Sequence, residues 1–184
     1  GTDRVAEAAY EIDAEVIVNV QGDEALLNPN DIIKAVECKL SNKNHVVTCM
    51  AKLTSSEKPT DLKTCKVVTN LDGDLMYVSR NAIPSSKNGI VKGAYKQVCV
   101  YSFDKEQLKE YYDIGRKNGK TPVESSEDIE IIRFLEMGIK VKMVEVDGGT
   151  LAVDYPEDVK MVESIFRKQQ LYSRLDTKVK SGIR

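Results

Sequence analysis

The chain has one histidine, no Cys-x-x-Cys pair, no surplus of either charge and no long apolar run. Each absence closes a class. His45 has no ligand-like spacing to Cys38, Cys49, Cys65 or Cys99, so a zinc site is not expected. Those four cysteines sit apart in apolar or amphipathic runs and read as buried free thiols of a reducing cytosol. A net charge of −2 supplies no bulk attraction for nucleic acid, so a polyanion would need a local basic site or bound metal ions. No apolar stretch approaches the roughly 20 residues of a membrane span. The opening GTDRVAEAAYEIDAE is amphipathic and acidic, unlike a signal peptide. Internal repeats and low-complexity linkers are also missing. What is present is an ordinary globular composition, 41% hydrophobic over 184 residues, enough for one sizeable core.

Periodicity predicts an alternation of helices and strands. Val5, Ala8 and Ala9 mark a first helix over 2–10, and 15–20 reads as a buried strand. Asn28 and Pro29 suit the start of a second helix whose inner face would be Ile32, Ile33, Val36 and Leu40. Strands follow at 45–53, 65–70, 75–79 and 95–103. Asp72-Gly73 between the second and third of these signals a hairpin. Helices are predicted at 104–115, and at 125–138 with Ser125 or Ser126 as cap and Gly138 as stop. A strand at 139–146 and a helix from Tyr155-Pro156 to about Gln170 complete the pattern, an α/β layered fold with a mixed sheet. The segment 167–184 holds six basic residues against one aspartate and reads as a solvated, frayed tail.

Ligands of open α/β sheets bind beyond the carboxyl ends of strands. Gln21-Gly22-Asp23-Glu24 occupies one such end and Val153-Asp154 another. Two carboxylates from separate strand ends suit Mg2+, which takes one or two carboxylates together with phosphate oxygens. Each aspartate alone reads equally as a helix cap or a turn former.

Five segments, in order, resemble the CMP-KDO synthetase (3-deoxy-manno-octulosonate cytidylyltransferase) family. GTDRVAEAAYEIDAEVIVNVQGDEALLNPNDI is similar to S-G-T-[DE]-R-L-A-E…V-x-V-N-V-Q-G-D-E-P-x-[IL]. CKVVTNLDGDLMYVSRNAIP resembles V-K-V-V…D…G-x-A-L-Y-F-S-R-x-x-I-P, and YKQVCVYSFDKEQLKEY resembles R-H-[IL]-G-I-Y-[AG]-Y…L. ESSEDIEIIRFLEMGIKVKMVEV resembles E-x-x-E-x-L-E-Q-L-R-x-L-x-x-G-x-x-I, and AVDYPEDV resembles G-V-D-T-P-E-D-L. The resemblance implies transfer of CMP from CTP to the anomeric hydroxyl of 3-deoxy-manno-octulosonate (KDO), for lipopolysaccharide synthesis. It also implies a Rossmann-like nucleotide-diphospho-sugar transferase layer, a cytoplasmic homodimer, and Mg2+ held by Asp23 and Asp154. Gln21, Arg80, Gln97, Tyr101 and Glu130 would meet the sugar acid, with Arg80 on its carboxylate; Thr2 and Arg4 would lie beside the nucleotide. Tyr101 reads equally as a core residue, Arg80 as a surface ion pair, Glu130 as an exposed helix carboxylate and Arg4 as a helix pair.

Departures fall at Ala25 for proline, which is expected to loosen its turn, and at Lys96 and Gln97 for Arg-His. Two more are Ile131 for glutamine and Tyr155 for threonine. Gln97 and Ile131 match sugar-contacting positions, so another keto-sugar acid, of sialic type, stays open as the substrate. A non-catalytic dimerisation module is the reading from a different class. The family's opening strand and A-R-x-x-S-x-R-x-P-x-K phosphate loop have no counterpart here. The expectation is therefore a C-terminal portion of the domain over 1–170, lacking its first βα units and inactive alone, with a basic tail over 171–184.

Overall fold

Tyr95–Phe103, rich in β-branched and aromatic residues, forms the strand on which the others assemble. The computed structural model describes residues 1–88, 93–148, 153 and 155–180, with side chains through residue 168. They form two compact units: Gly1–Val20 with Pro29–Gly148, and Gln21–Asn28 with Gly149–Arg184.

The first unit runs α1 (Thr2–Ala9), β1 (Ile17–Val20), α2 (Pro29–Ser41), β2 (Val46–Lys52), β3 (Lys66–Thr69), β4 (Leu75–Ser79), β5 (Tyr95–Phe103), α3 (Lys105–Asn118), α4 (Pro122–Glu127), α5 (Ile131–Glu136) and β6 (Val141–Glu145). On one edge β5 pairs antiparallel with β2, from Val47↔Ser102 to Lys52↔Tyr95. Its other edge is shared end to end by β3, at Lys66↔Lys96 and Val67↔Tyr95, and by β1, at Ile17↔Phe103 through Val20↔Val100. β6 joins β2 in parallel, so the sheet is mixed, as expected. The hairpin also forms as expected: Asn70 Oδ1 accepts from the N–H groups of Asp72 and Asp74, and Gly73 takes the left-handed φ of 79° that its turn requires. The hairpin tip then reaches β6, where Met143 N–H donates to the Gly73 carbonyl at 2.9 Å.

Three helical expectations need correction. The buried face of α2 is Asp31, Ala35 and Lys39; Ile33 and Leu40 are exposed at 53% and 44%, with Ile32 and Val36 half-buried. A lysine can face inward because its ammonium lies 2.6–2.9 Å from four acceptors: the carbonyls of Lys43 and His45, Asp104 Oδ2 and Gln107 Oε1. The single helix predicted over 125–138 is two helices. Thr121 and Glu124 form a capping box that starts α4 early, and Asp128 breaks it in the left-handed region at φ 54°. Gly138 remains the stop. α3 also continues beyond the predicted Gly115 to end at Asn118, capped by Gly119.

The reason for the break is a buried ion pair. Arg133 in α5 donates from Nε and Nη2 to both oxygens of Glu124 in α4, each at 2.7 Å, and both residues are 1–2% exposed. On a continuous helix, residues nine apart stand two and a half turns, about 180°, from each other. Only a broken helix lets them meet. Arg133 Nη1 also donates to Asp3 Oδ1 at 2.9 Å and to the Tyr111 carbonyl at 3.2 Å, and its guanidinium lies 3.8 Å above the Tyr111 ring. Around it the core stacks Tyr101 on Phe103, Phe103 on Phe134 and Phe134 on Tyr111, at 6.0, 5.5 and 4.6 Å between ring centroids.

In the second unit α6 (Pro156–Lys180) continues past the expected end near Gln170. Four cysteines are free, with Cys49 buried and its thiol pushed up to about 12, mainly by burial. None of the described helices is long and apolar enough to cross a membrane.

Removing one member of the Arg133–Glu124 pair strands the other. Arg133→Met is expected to cost about 3–5 kcal/mol in urea unfolding, and Arg133→Met with Glu124→Leu markedly less. Equal loss in the single and double variants would show that the pair is not the cause.

Candidate functional site

The amino half and middle of β5, with the adjoining start of β3, collect several expected residues. Gln97 Nε2 donates to the Tyr101 hydroxyl at 3.3 Å, so the two share a face. Cys99 joins them: burial first, then contact with the Cys99 thiol, pushes the Tyr101 hydroxyl well above its usual range, with Glu130 and Cys65 adding to the effect. The pairing of β2 and β5 shifts register between Thr48 and Cys49, opposite this stretch, and such bulges re-aim side chains. Cys65 borders the same face, since its carbonyl accepts from the Gln97 N–H at 2.9 Å. Arg80 acts on Cys65 in turn, opposing the upward shift that burial imposes on that thiol.

Tyr101 is 6% exposed and stacked in the core, the packing alternative for that residue. Ile131, at 1% exposure, is a core residue as well, so its departure from the motif is one of packing. Lys96, at the motif's arginine position, is paired with Glu57 at 2.5 Å.

Arg80 makes no ion pair among the described residues; its guanidinium donates to three carbonyls instead. Those bonds run to Glu127 at 2.7 Å, Asp128 at 3.0 Å and Leu62 at 3.2 Å. The surface ion pair considered from sequence is therefore not what holds it. Two residues outside the expected set organise this corner. Glu127 accepts from Ser79 Oγ at 2.7 Å, the Arg80 N–H at 3.0 Å and the Tyr77 hydroxyl at 3.1 Å. Burial opposes its ionisation, but these bonds outweigh burial and hold its carboxyl below the usual range. Lys66, fully buried, donates to the carbonyls of Asp61 at 2.7 Å, Thr64 at 2.5 Å and Arg80. Burial in a site of neutral oxygens lowers its ammonium pKa. Both residues stand inside the quoted motifs, so position was the available signal; the partners were not readable.

Glu130, its side chain 33% exposed, bonds to α1. Its Oε2 accepts from the Thr2 N–H at 2.9 Å and the Thr2 hydroxyl at 2.6 Å, and Oε1 lies 2.6 Å from the Gly1 nitrogen. Burial opposes ionisation here too, yet these donors hold the carboxyl below its ordinary range. Arg4 is exposed on α1.

In the second unit the segment after β1 forms successive turns. The N–H groups of Glu24, Ala25 and Leu27 donate to the carbonyls of Gln21, Asp23 and Glu24 at 3.2, 2.9 and 3.1 Å. Ala25 thus makes a bond that the proline of the family pattern cannot donate, so the substitution adds a tie where a looser turn was expected. Val153 N–H donates to the Asp23 carbonyl at 3.0 Å, which joins two motif segments far apart in sequence. The Asp23 side chain is exposed. Asp154 lies outside the described residues. Among the described residues no three His, Cys, Asp or Glu side chains are grouped to hold a metal ion. A donor set of few carboxylates fits an ion that completes its shell with water and phosphate oxygens, as Mg2+ does.

Glu127 offers a direct test of this corner. Its folded pKa is depressed, so its contribution is present above the unfolded value near 4.3 and is lost as pH falls through the folded value. Solvent screening limits that contribution to about 1 kcal/mol. Glu127→Gln is expected to lower stability by about that amount at pH 7 and to match wild type once the wild-type carboxylate is protonated, read by urea unfolding across pH 2–7. A pH-independent deficit would assign the loss to shape instead.

Against known proteins, residues 1–143 match the family model described as cytidylyltransferase. The chain is 39% identical over 170 residues to the 3-deoxy-manno-octulosonate cytidylyltransferase of Chlamydia pneumoniae, covering 89% of this chain and 63% of that protein. It is 32% identical over 169 residues to the enzyme of the same name from Christiangramia forsetii, covering 90% and 66%. The chain thus spans a little under two thirds of these relatives' length. A solved structure of CMP:2-keto-3-deoxy-manno-octonic acid synthetase complexed with CTP superposes with a TM-score of 0.82 at 26% identity, over 91% of this chain and 68% of that one.

Proposed function

This chain belongs to the cytidylyltransferase family, and on that premise we propose that it takes part in transferring CMP from CTP to the anomeric hydroxyl of KDO, with release of pyrophosphate. The sugar hydroxyl attacks the α-phosphorus, the new O–P bond forms, and the bond to the β-phosphate oxygen breaks. The observation that carries this reading is the Val153-to-Asp23 bond, which ties together the two strand-end segments bearing the candidate carboxylates. Asp23 and Asp154 would hold Mg2+. When bound, that ion supplies neutralisation of the triphosphate charge, an effect worth several kcal/mol.

The chain's own side chains divide the remaining work. Arg80 faces the keto acid's carboxylate, since its charge is met by neutral carbonyl oxygens and two of its five N–H donors stay unspent beyond the three described. Gln97, steadied by Tyr101, offers an amide for a sugar hydroxyl. Gln21 offers an amide for a sugar hydroxyl, and Thr2 and Arg4 border the nucleotide. A homodimer working in the cytoplasm on the lipopolysaccharide pathway completes the reading. Gln97 in place of histidine favours a second reading, a different keto-sugar acid as acceptor.

Mg2+-dependent CTP binding by calorimetry, with pyrophosphate release across a panel of keto-sugar acids, tests both. CTP binding that needs Mg2+ is expected; turnover is not expected of these 184 residues alone, and in an assembly that turns over, KDO should be used at least as fast as any other acid. Asp23→Asn should lower turnover at least about 100-fold, a loss of about 2.7 kcal/mol of transition-state stabilisation. Preferred turnover of a nine-carbon acid would favour the second reading, and CTP binding indifferent to Mg2+ would overturn the metal assignment.

A further inference from the structure

Arg80 is the first residue after β4, and charged groups hold its backbone at both ends. Lys66 lies opposite Ser79 in the register of β3 and β4, and its ammonium donates to the Arg80 carbonyl. Glu127 Oε2 accepts from the Arg80 N–H at 3.0 Å. Glu127 takes the same residue a second time, because its main-chain carbonyl accepts from Arg80 Nε at 2.7 Å. The last residue of α4 thus grips the backbone and the side chain of Arg80 together.

Each grip is itself fixed. Glu127 Oε1 receives the hydroxyls of Ser79 and Tyr77, both from β4, at 2.7 and 3.1 Å. Ser79 Oγ in turn accepts from the Asn81 N–H at 3.1 Å, so residues 79, 80 and 81 are all tied. Lys66 is fully buried, and it also donates to the carbonyls of Asp61 and Thr64. The Asp61 turn is stiffened by its own side chain, whose Oδ1 accepts from the Lys63 N–H at 3.0 Å. The Arg80 guanidinium closes the arrangement at the end of α4, where helix carbonyls lack partners of their own. Asp128, in the left-handed region, gives its carbonyl to Nη2 at 3.0 Å, and Leu62 gives its carbonyl to Nη1 at 3.2 Å. Beyond these bonds, among the described residues, one N–H remains on each terminal nitrogen, a pair suited to the two oxygens of a carboxylate.

We propose that Lys66 and Glu127 are positioning residues for the acceptor's carboxylate: they fix Arg80 from both ends of its backbone and so aim its two remaining N–H groups. This rests on the reading of Arg80 given above. It needs only the carboxylate, which KDO and any other keto-sugar acid share. Neither residue touches the acid, so each acts only while Arg80 is present. A purely structural role would lower stability without telling an acid from its ester.

The test measures affinity by calorimetry for KDO, for its methyl ester and for CTP with Mg2+. The variants are Lys66→Met, Glu127→Ala and Glu127→Gln, each with and without Arg80→Ala. Lys66→Met and Glu127→Ala should each weaken KDO about tenfold, the equivalent of about 1.4 kcal/mol. The ester and CTP should stay within about twofold, since the lost bonds serve the carboxylate alone. Glu127→Gln should also stay within about twofold of wild type, because its amide oxygen still accepts from the Arg80 N–H while its amide nitrogen donates to a hydroxyl. In the Arg80→Ala background, Lys66→Met and Glu127→Ala should cost no further affinity, because residues acting through one group are not additive. Where Lys66→Met does not fold, Glu127→Ala decides alone. A second readout needs no ligand: by nitrogen NMR the Arg80 Nε–H should exchange with water at least about tenfold faster in Glu127→Ala than in wild type. Losses on KDO that persist without Arg80, equal losses on the ester, or an unmoved Arg80 exchange rate would overturn the proposal. Wild-type protein that does not tell KDO from its ester would overturn the functional reading of Arg80, and the exchange rate would still decide whether Glu127 holds it.

Discussion

The buried pairing of Arg133 with Glu124 is the constraint on which the helical half of the molecule rests. Taking two charges out of water costs several kcal/mol each, and only near-ideal geometry offsets that. Here the geometry is bidentate at 2.7 Å on both arms, with the guanidinium plane stacked on Tyr111. The return is register more than net stability. An apolar pair of equal volume would pack at several helix rotations, whereas a two-pronged bond fits at one. From that single orientation follow the break at Asp128, the glycine at 115 and the hold on Asp3 that seats α1. The Thr2–Glu130 contact is downstream of the same anchor, because Glu130 occupies the turn that leads into α5.

Buried or half-buried cations recur as ties between loops and elements. Lys39 gathers the chain after α2 and the start of α3; Lys66 gathers Asp61, Thr64 and Arg80; Arg80 gathers Leu62, Glu127 and Asp128. Most of the acceptors are backbone carbonyls. Loops cannot satisfy such oxygens within a ladder, and a single lysine can satisfy three of them. The corner around Arg80 is therefore stiff without being a strand, which is what a precise polar contact requires of its surroundings.

The strands and the hairpin were legible because their signals are local. The β-rich run Tyr95–Phe103 matched its strand to the residue, and Asp-Gly between β-rich runs set the turn. The inward face of α2 was not legible, since Ile33 and Leu40 look like core until Asp104 and Gln107, more than sixty residues away, are known to receive Lys39. The same limit applies to the candidate site. Motif order named Arg80, Gln97, Tyr101 and Glu130, but a motif carries residue type and not partners. It could not tell that Tyr101 packs in the core, that Arg80 is oriented by carbonyls, or that Glu130 is bonded to Thr2.

On the proposed reading, a chain of net charge −2 would bind two anionic substrates through local fields. Near the Gln97 face the cations are not equivalent. Lys96 is cancelled by Glu57, and Lys66 is sealed from solvent among carbonyls. Arg133 is cancelled by Glu124 and Asp3. Arg80 alone among these four is both half-exposed and partnered by neutral oxygens, with the Glu127 carboxylate bonded to its backbone N–H and not to its guanidinium. Carbonyl dipoles orient the guanidinium without removing its charge. A carboxylate arriving at this face would therefore find its strongest attraction at Arg80, for a reason that lies in how the neighbouring cations are already spent.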